Sequence, residues 1–504
     1  MGEKLSVDVV IVGSGFGGSL TALLLDRVGF KVVLVDRGRH PRFAIGESST
    51  PIADLVLRDL AQRYDLPQLL PLTRYGSWKQ NYPNVTCGLK RGFSYFAQQP
   101  DEYFQPTANH QNELLVAASS NDSNADTHWL RSDVDSFLVS EVQAAGIPHY
   151  DQTELQVLNH SPRWQFQGVR ENSKLTIDAS FLVDASGTAA FLPLAMNLEC
   201  QIAHLRTNSS AVFAHFADVV PWHTHLSSRR AYFENHPFDC DAAALHHIIK
   251  EGWMWQLRFD NQITSAGFVI NGDQARFSPA ISVEEIWHTL VKRYPSIDEQ
   301  FASAHVVAPD GGMTRTGRLQ RRWASVAGPN WALLPHTAGF IDPLYSTGIA
   351  HTMCGIEYLV QLLQAHWKKE SLREQLHRYA QKIQAELDLI DELVHGSYRA
   401  MKNFEIFVPY SMLYFAASTT YEQRRSNIGT SSQATFLCAE DQQFRRLVRH
   451  VNQLLDHTLR QTDDDKKSRQ FFDDVAEIIR PYNVAGLCDP DVQNMYRYTA
   501  IDLD

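Results

Sequence analysis

DVVIVGSGFGGSLTALLLDRVGFKVVLVD, residues 8–36, reads as an apolar strand, a glycine-rich turn, an amphipathic helix and a second apolar strand closed by an acid. Each part has a physical reason to be there. Gly13 and Gly15 let the backbone turn sharply and come close to a diphosphate, Gly18 lets the helix press on the strand, and the positive end of the helix faces the phosphate charge. Asp36 ends the second strand, placed to accept hydrogen bonds from ribose hydroxyls. A bare G-x-G-x-x-G recurs by chance. Here the preceding strand (7–12), the helix face (Leu20, Leu23, Leu24 and Val28) and the following strand (32–35) all agree with it. The unit is that of a dinucleotide cofactor, and alone it does not choose between NAD and FAD.

The rest of that domain is dispersed along the chain. The spacing predicts a helix over 132–146, with Val134, Phe137, Leu138 and Val142 on one face, Ser132 as its N-cap and Gly146 as its stop. Residues 181–183 form a buried strand that enters the turn Asp184-Ala185-Ser186-Gly187, and 331–334 is another apolar strand, followed by a helix from about 348 to 363. The cofactor domain is thus expected in two parts, 1–200 and 311–363. Residues 201–310 contain strand-like pieces at 211–216, 253–259 and 264–270 and read as an inserted sheet that carries substrate. From 364 to 504 the chain is rich in Gln, Glu, Arg and Lys with helical periodicity, a helical layer covering the substrate side. The polar stretch 105–128 reads as a surface loop of lid character.

At 504 residues, about three domain-sized units are expected. A net charge of −11 excludes a nucleic-acid partner, because phosphate binding wants a basic face. The six cysteines are scattered with no C-x-x-C, which fits reduced thiols. His223-Thr224-His225 and His246-His247 invite a metal but lack a third ligand at suitable spacing, so no metal is expected. The first strand begins within a few residues of Met1 and no apolar run reaches membrane-spanning length, so the expectation is a cytoplasmic protein without a membrane segment.

Four further segments are GESSTP (46–51), CGLKRGFSY (87–95), GWMWQL (252–257) and DPLYSTG (342–348). Together with the N-terminal unit, VDASG (183–187) and GFIDPLYSTGI (339–349), they resemble, in order and spacing over about residues 5–360, the flavin-dependent halogenases. The similarity is greatest to the branch that halogenates free phenols, in which the lysine sits in a C-G-x-K-x-G-F-S block. Tryptophan halogenases carry a glutamate before the S-T-G turn; Tyr345 stands there in this chain, which disfavours tryptophan as substrate. The resemblance implies an α/β fold: a glutathione-reductase-type, Rossmann-like FAD-binding domain with an inserted β-sheet substrate domain and a helical C-terminal region.

It also implies the chemistry. Reduced FAD, oxygen and chloride or bromide would yield hypohalous acid, which Lys90 would deliver to an electron-rich, phenol-like small aromatic. A single G-x-G-x-x-G leaves no nicotinamide domain, so a separate NAD(P)H-dependent flavin reductase is the implied partner, and a homodimer is compatible with the chain. Implied FAD contacts are Gly13, Gly15, Phe16, Gly18, Asp36, Arg37, Ser48, Arg131, Asp184, Asp342, Gly348 and Ile349, with Thr347 and Gly348 at the halide. Lys90 is the catalytic amine, and Glu47 is its companion or a contact of the flavin neighbourhood, or else the cap of the helix after Pro51. An amine in a dry channel has its pKa lowered by desolvation and can act as hydrogen-bond donor or as nucleophile. The competing reading makes Lys90 a surface residue beside Arg91, with Lys79 as the rival amine.

Trp253 and Trp255 alternate in a strand, share one face, and would separate flavin from substrate; the competing reading makes them ordinary core. Arg258 stands where the family's block has proline, which puts strict separation in doubt. The alternatives to a halogenase are an FAD-dependent aromatic hydroxylase of the same fold and a flavin-binding protein without turnover.

Overall fold

The computed structural model describes residues 3–170, 173–229, 233–428, 434–460, 465–497 and 499. Its first sheet is built on parallel strands in the order His149–Tyr150, Val32–Val35, Glu3–Val12, Ser173–Asp184 and Trp331–Leu333. Residues 9–12 and 32–35 are covered on both faces, which is why they read as unbroken apolar runs. Helix Phe16–Arg27 follows the glycine-rich turn, and helix Thr347–His366 packs on it where a Cβ at Gly17 would lie 3.3 Å from the Thr352 methyl. The helix expected at 132–146 spans Arg131–Ala144; its N-cap is Leu130, and Ser132 instead bonds to Asp133.

The second sheet has nine strands among the described residues. Strands Ser209–Ala217, Gly252–Arg258 and Thr264–Asn271 match the three strand-like pieces, but the sheet is not made from 201–310 alone. Strand Ala244–Ile249 pairs parallel with Gly92–Ala97, which pairs with Glu113–Ala117, which in turn takes Met495–Tyr496 on its far edge. The lid expected at 105–128 is therefore corrected: Glu113–Ala117 is a buried interior strand and Asp126–Trp129 another buried strand. Leu114-Leu115-Val116-Ala117 supply enough apolar surface to hold the stretch inside despite its polar flanks.

The C-terminal layer is helical as expected, with Leu372–Ala400, Phe404–Ile428, Gln442–Arg460 and Asp465–Ile479. It is clamped to the cofactor domain by buried charge: Arg425 meets Glu357 at 2.7 Å and Asp59 at 2.8 Å. Tyr379 donates to the Leu333 carbonyl at 2.8 Å, tying the long helix to the first sheet. One apolar core runs through both sheets and these helices, and a second lies beneath the outer face of the second sheet around Met254, Phe268 and Trp287.

Candidate functional site

The glycine-rich turn is shaped as the sequence demands. Gly13 has φ +104°, and a Cβ there would lie 2.5 Å from the Ala185 carbonyl oxygen. A Cβ at Gly18 would lie 1.8 Å from the Gly13 oxygen, so helix and turn meet too closely for any side chain. Gly15 has only ordinary contacts to expect, which leaves its backbone free for an approaching phosphate. Asp36 is buried and held by five donors: Ser14 N and Oγ, Gly38 N, and both terminal nitrogens of Arg42. Burial pushes its pKa up, but the Arg42 bonds and charge, with the two backbone N–H groups, outweigh that and leave it well below the ordinary carboxylate range. Beyond it, Arg37 lines a groove of about 720 Å³ with Gly38, Gln152, Glu154 and Gln167.

Arg131 joins this turn to the GESSTP segment. Its guanidinium is bidentate to Asp135, donates to the carbonyls of Ile45 and Gly46, and lies 4.9 Å over the Phe16 ring. Asp135 in turn accepts the Phe16 N–H at 3.1 Å. Two other expected cofactor contacts, Asp184 and Asp342, are also engaged by the protein. The Asp184 carboxylate is filled by the N–H groups of Ser186 and Leu192, and that of Asp342 by Ser209, Tyr398 and the Leu344 N–H. Both are buried and have donors of their own loops or of neighbouring elements within 3.1 Å.

At the start of helix Thr347–His366, Ser346 adopts a left-handed φ of 51° and supplies no side-chain cap. Thr347 and Ile349 are buried while Gly348 is exposed, with nothing within 4 Å of where its Cβ would be. Space is thus open beside Gly348 in the first turn of the helix, whose leading N–H groups have no partner within the helix. Ser48 Oγ and Thr50 Oγ1 are buried without a partner. The tight turn, the open space at Gly348 and these orphaned hydroxyls fit a dinucleotide such as FAD.

Lys90 ends the short strand Cys87–Lys90, paired antiparallel with Asp126–Trp129 so that Lys90 faces Asp126. The GESSTP segment runs along the other edge, with Trp129 N donating to Glu47 O and Ser49 N to Thr127 O. Gly88 lets the strand pack flat on the second sheet, since a Cβ there would lie 1.9 Å from the Arg258 oxygen. Lys90 is 0% exposed. Its Nζ donates to Ser49 O at 2.7 Å, lies 4.2 Å from the Phe93 ring centre and 3.8 Å from Asp126 Oδ2. Burial lowers its pKa, with Asp126 and Asp54 opposing. Arg91 points the other way, to Asp122 at the surface, and Lys79 pairs with Asp260 at 2.6 Å with 38% of its side chain exposed. Of the two rival amines, only Lys90 is enclosed.

Glu47 is corrected as a companion of Lys90. It is buried, but its Oε1 accepts from His215 Nε2 at 2.7 Å, and the helix after Pro51 is capped by Thr50 without a side-chain bond. The carboxyl groups beside the amine are Asp126 and Asp54, which sequence reading missed; the nearer clue was Asp54 in the first turn of a helix that starts with a proline.

Trp253 and Trp255 do share a face, with ring centres 6.2 Å apart, while Met254 belongs to the opposite core. Trp253 Nε1 donates to Tyr398 Oη and Trp255 Nε1 to Ser265 Oγ. Arg258 does not enter this wall; it donates to the Val219 carbonyl at 3.1 Å. Tyr345 is buried, bonded to Ser397 and stacked on Tyr414 at 4.4 Å. His246 and His247 alternate to opposite faces, one stacked on Tyr95, the other between Gln98 and Gln256, so they do not converge. Two other groups do: His110, Glu113 and His236 place ligand atoms within 4.8 Å of one another, and so do His223, Asp239 and Cys240, so His223 has in space the companions its sequence spacing did not offer.

A Rossmann-like cofactor sheet, an enclosed lysine and a pair of tryptophans on one face of the second sheet accompany a family match: the chain belongs to the flavin-dependent halogenases. Residues 126–408 match the family model described as Tryptophan halogenase, and residues 11–58 the NAD(P)-binding Rossmann-like domain. The chain is similar to the tetracycline 7-halogenase of Kitasatospora aureofaciens, 26% identical over 85% of this chain and 76% of that one. It is also similar to the monodechloroaminopyrrolnitrin halogenase PrnC of Pseudomonas fluorescens, 27% identical over 81% and 70% of the two chains. Its fold matches the crystal structure of halogenase PltM in complex with phloroglucinol and FAD, with a TM-score of 0.85 and 23% identity over 98% of this chain and 100% of that one. The protein is an enzyme of this family, and no helix among the described residues is long and apolar enough to cross a membrane.

Proposed function

We propose that this enzyme binds FAD and, with the flavin reduced by a separate NAD(P)H-dependent reductase, uses oxygen and chloride or bromide to halogenate a small phenol through Lys90. The observation that carries the reading is the Lys90 amine, 0% exposed and held between the Ser49 carbonyl and the Phe93 ring. A buried lysine needs a reason to be retained, because desolvating the ammonium costs several kcal/mol in order of magnitude. Delivering an electrophilic halogen is such a reason.

Gly13, Gly15, Phe16 and Gly18 would hold the diphosphate once Phe16 N–H leaves Asp135, Asp36 would exchange its Arg42 bonds for ribose hydroxyls with Arg37 beside it at the adenosine end, and Ser48, Gly348 and Ile349 would hold the ring end. Reduced flavin supplies the electrons that activate oxygen. Thr347 and Gly348 would present backbone N–H groups to the halide, where the positive end of a helix of 20 residues favours an anion. Trp253 and Trp255 would keep the aromatic substrate away from the flavin, so that only hypohalous acid travels. Arg131, locked to Asp135, would keep the GESSTP segment in register with the diphosphate turn. The phenol reading gains support from Tyr345 and from phloroglucinol in the PltM complex.

The test is incubation with reduced FAD, oxygen and bromide over a panel of phenols, read by mass spectrometry. Exchange of hydrogen for bromine is expected with the native enzyme, and its loss in Lys90→Ala with FAD affinity retained. A gain of one oxygen would make the protein a hydroxylase. Unchanged bromination by Lys90→Ala would remove the lysine from the chemistry.

A further inference from the structure

Two carboxyl groups lie behind the Lys90 amine. Asp126 is 4% exposed and Asp54 8% exposed, and the charge of Asp126 adds to burial in raising the pKa of Asp54. Two buried carboxyls beside a single buried ammonium favour keeping one proton between them. Ser49 Oγ donates to Asp54 Oδ1 at 2.6 Å, while Ser49 O takes the amine, so one residue orients both ends of the cluster. Asp126 Oδ2 is buried and makes no hydrogen bond, yet it is the atom that stands 3.8 Å from Lys90 Nζ. That oxygen can take a proton from the amine after a small rotation. Burial raises the pKa of both acids, and the amine is pushed the other way, so the three groups are brought toward a common range. The other titratable groups that act on the cluster are His128, His246, Tyr414 and Arg58; burial keeps both histidines neutral, at about 3.

Building on Lys90 as the delivering amine, we propose that Asp126 is its proton partner and that Asp54, by sharing a proton with Asp126, sets how readily that exchange occurs. The steps balance. The ammonium gives a proton to the Asp126 carboxylate; the free amine then attacks hypohalous acid, the N–halogen bond forms, the halogen–oxygen bond breaks, and the leaving hydroxide departs as water with the second amine proton. When the ring carbon takes the halogen from nitrogen, protonated Asp126 returns its proton to that nitrogen. The ring then loses its own proton to the amine, and ammonium and carboxylate are restored.

The test needs no flavin. The protein as purified is exposed to one equivalent of hypochlorous acid across a pH series, and replacement of hydrogen by chlorine at Lys90 is followed by peptide mass mapping. Asp126→Asn removes the nearer negative charge, so the midpoint of Lys90 chlorination should move to lower pH by about one unit. Asp54→Asn leaves a full carboxylate on Asp126, so the midpoint should move to higher pH. In turnover with reduced FAD, Asp126→Asn should lower kcat about tenfold or more with KM for the phenol unchanged, and Asp126→Glu should restore part of it. Opposite shifts in the two variants cannot come from a general loss of structure, and Asp54→Asn alone decides the matter should Asp126→Asn not fold. Unmoved midpoints, or shifts of the same sign, overturn the proposal. If Lys90→Ala brominates normally, the delivering role itself falls; if Lys90→Ala is inactive while both midpoints stay put, only the acid pair does.

Discussion

Replacing Gly348 by alanine separates a functional glycine from a structural one. The residue lies in the first turn of helix Thr347–His366, is exposed between the buried Thr347 and Ile349, and has nothing within 4 Å of the position a methyl would take. The ligand-free protein therefore gives no steric reason for glycine, and its backbone φ is not in the left-handed region. Helix propensity and unfolded-chain entropy both favour alanine there by about 0.5–1 kcal/mol. If the space is the seat of the flavin ring and halide, the methyl stands in it. One extra methylene-sized group in a fitted pocket is worth about 1–3 kcal/mol, roughly 10- to 200-fold. Gly348→Ala should therefore melt no lower than the parent while its FAD affinity, or its halide constant at saturating FAD, worsens by that factor. Fluorescence titration of FAD, bromide-dependent turnover and a thermal scan measure the three quantities. A variant that binds FAD and bromide as the parent does would show that this opening is not the site.

Gly18→Ala should do the reverse, because its Cβ would meet the Gly13 oxygen at 1.8 Å: a destabilisation of about 1–3 kcal/mol or more, measured by chemical unfolding, together with loss of FAD binding. Arg131→Met strands Asp135, whose side chain is 2% exposed, and should cost about 3–5 kcal/mol in the same assay. Asp36 has a folded pKa below its unfolded value, so its contribution to stability is present above about pH 4 and is lost as pH falls. Arg42→Met should flatten that acid-side slope in melting temperatures measured against pH. Lys79→Ala breaks only a partly exposed pair and should change stability by less than about 0.5 kcal/mol and bromination not at all; loss of bromination would move the chemistry to that amine.

What was legible in the sequence was what local geometry decides. The turn at Gly13 to Gly18 announces itself because a left-handed φ and a backbone contact exclude every other residue type, and the strands flanking it are apolar on both faces. Trp253 and Trp255 could be placed on one face from alternation alone. The same rule, applied to His246 and His247, would have dismissed them as a ligand pair. Lys90 stood out by its block, yet its burial depends on Ser49, Phe93 and Asp126, three residues drawn from separate segments.

The illegible part shares one cause. Strand 113–117 enters the second sheet through pairing with 92–97 and 495–496; its short apolar run was outweighed by the polar stretch on each side, and nothing local records the partner nearly 400 residues away. His110, Glu113 and His236 converge for the same reason. The donors that Asp184 and Asp342 take from their own loops were likewise invisible, because nothing in the local sequence says which backbone N–H groups a carboxylate will meet. The acid pair behind Lys90 could be seen only once the sheets were assembled: Asp54 comes from a helix, Asp126 from a strand and the amine from the strand beside it. Desolvation, the quantity that lowers the amine's pKa and raises the acids', is a property of that assembly and of no segment within it.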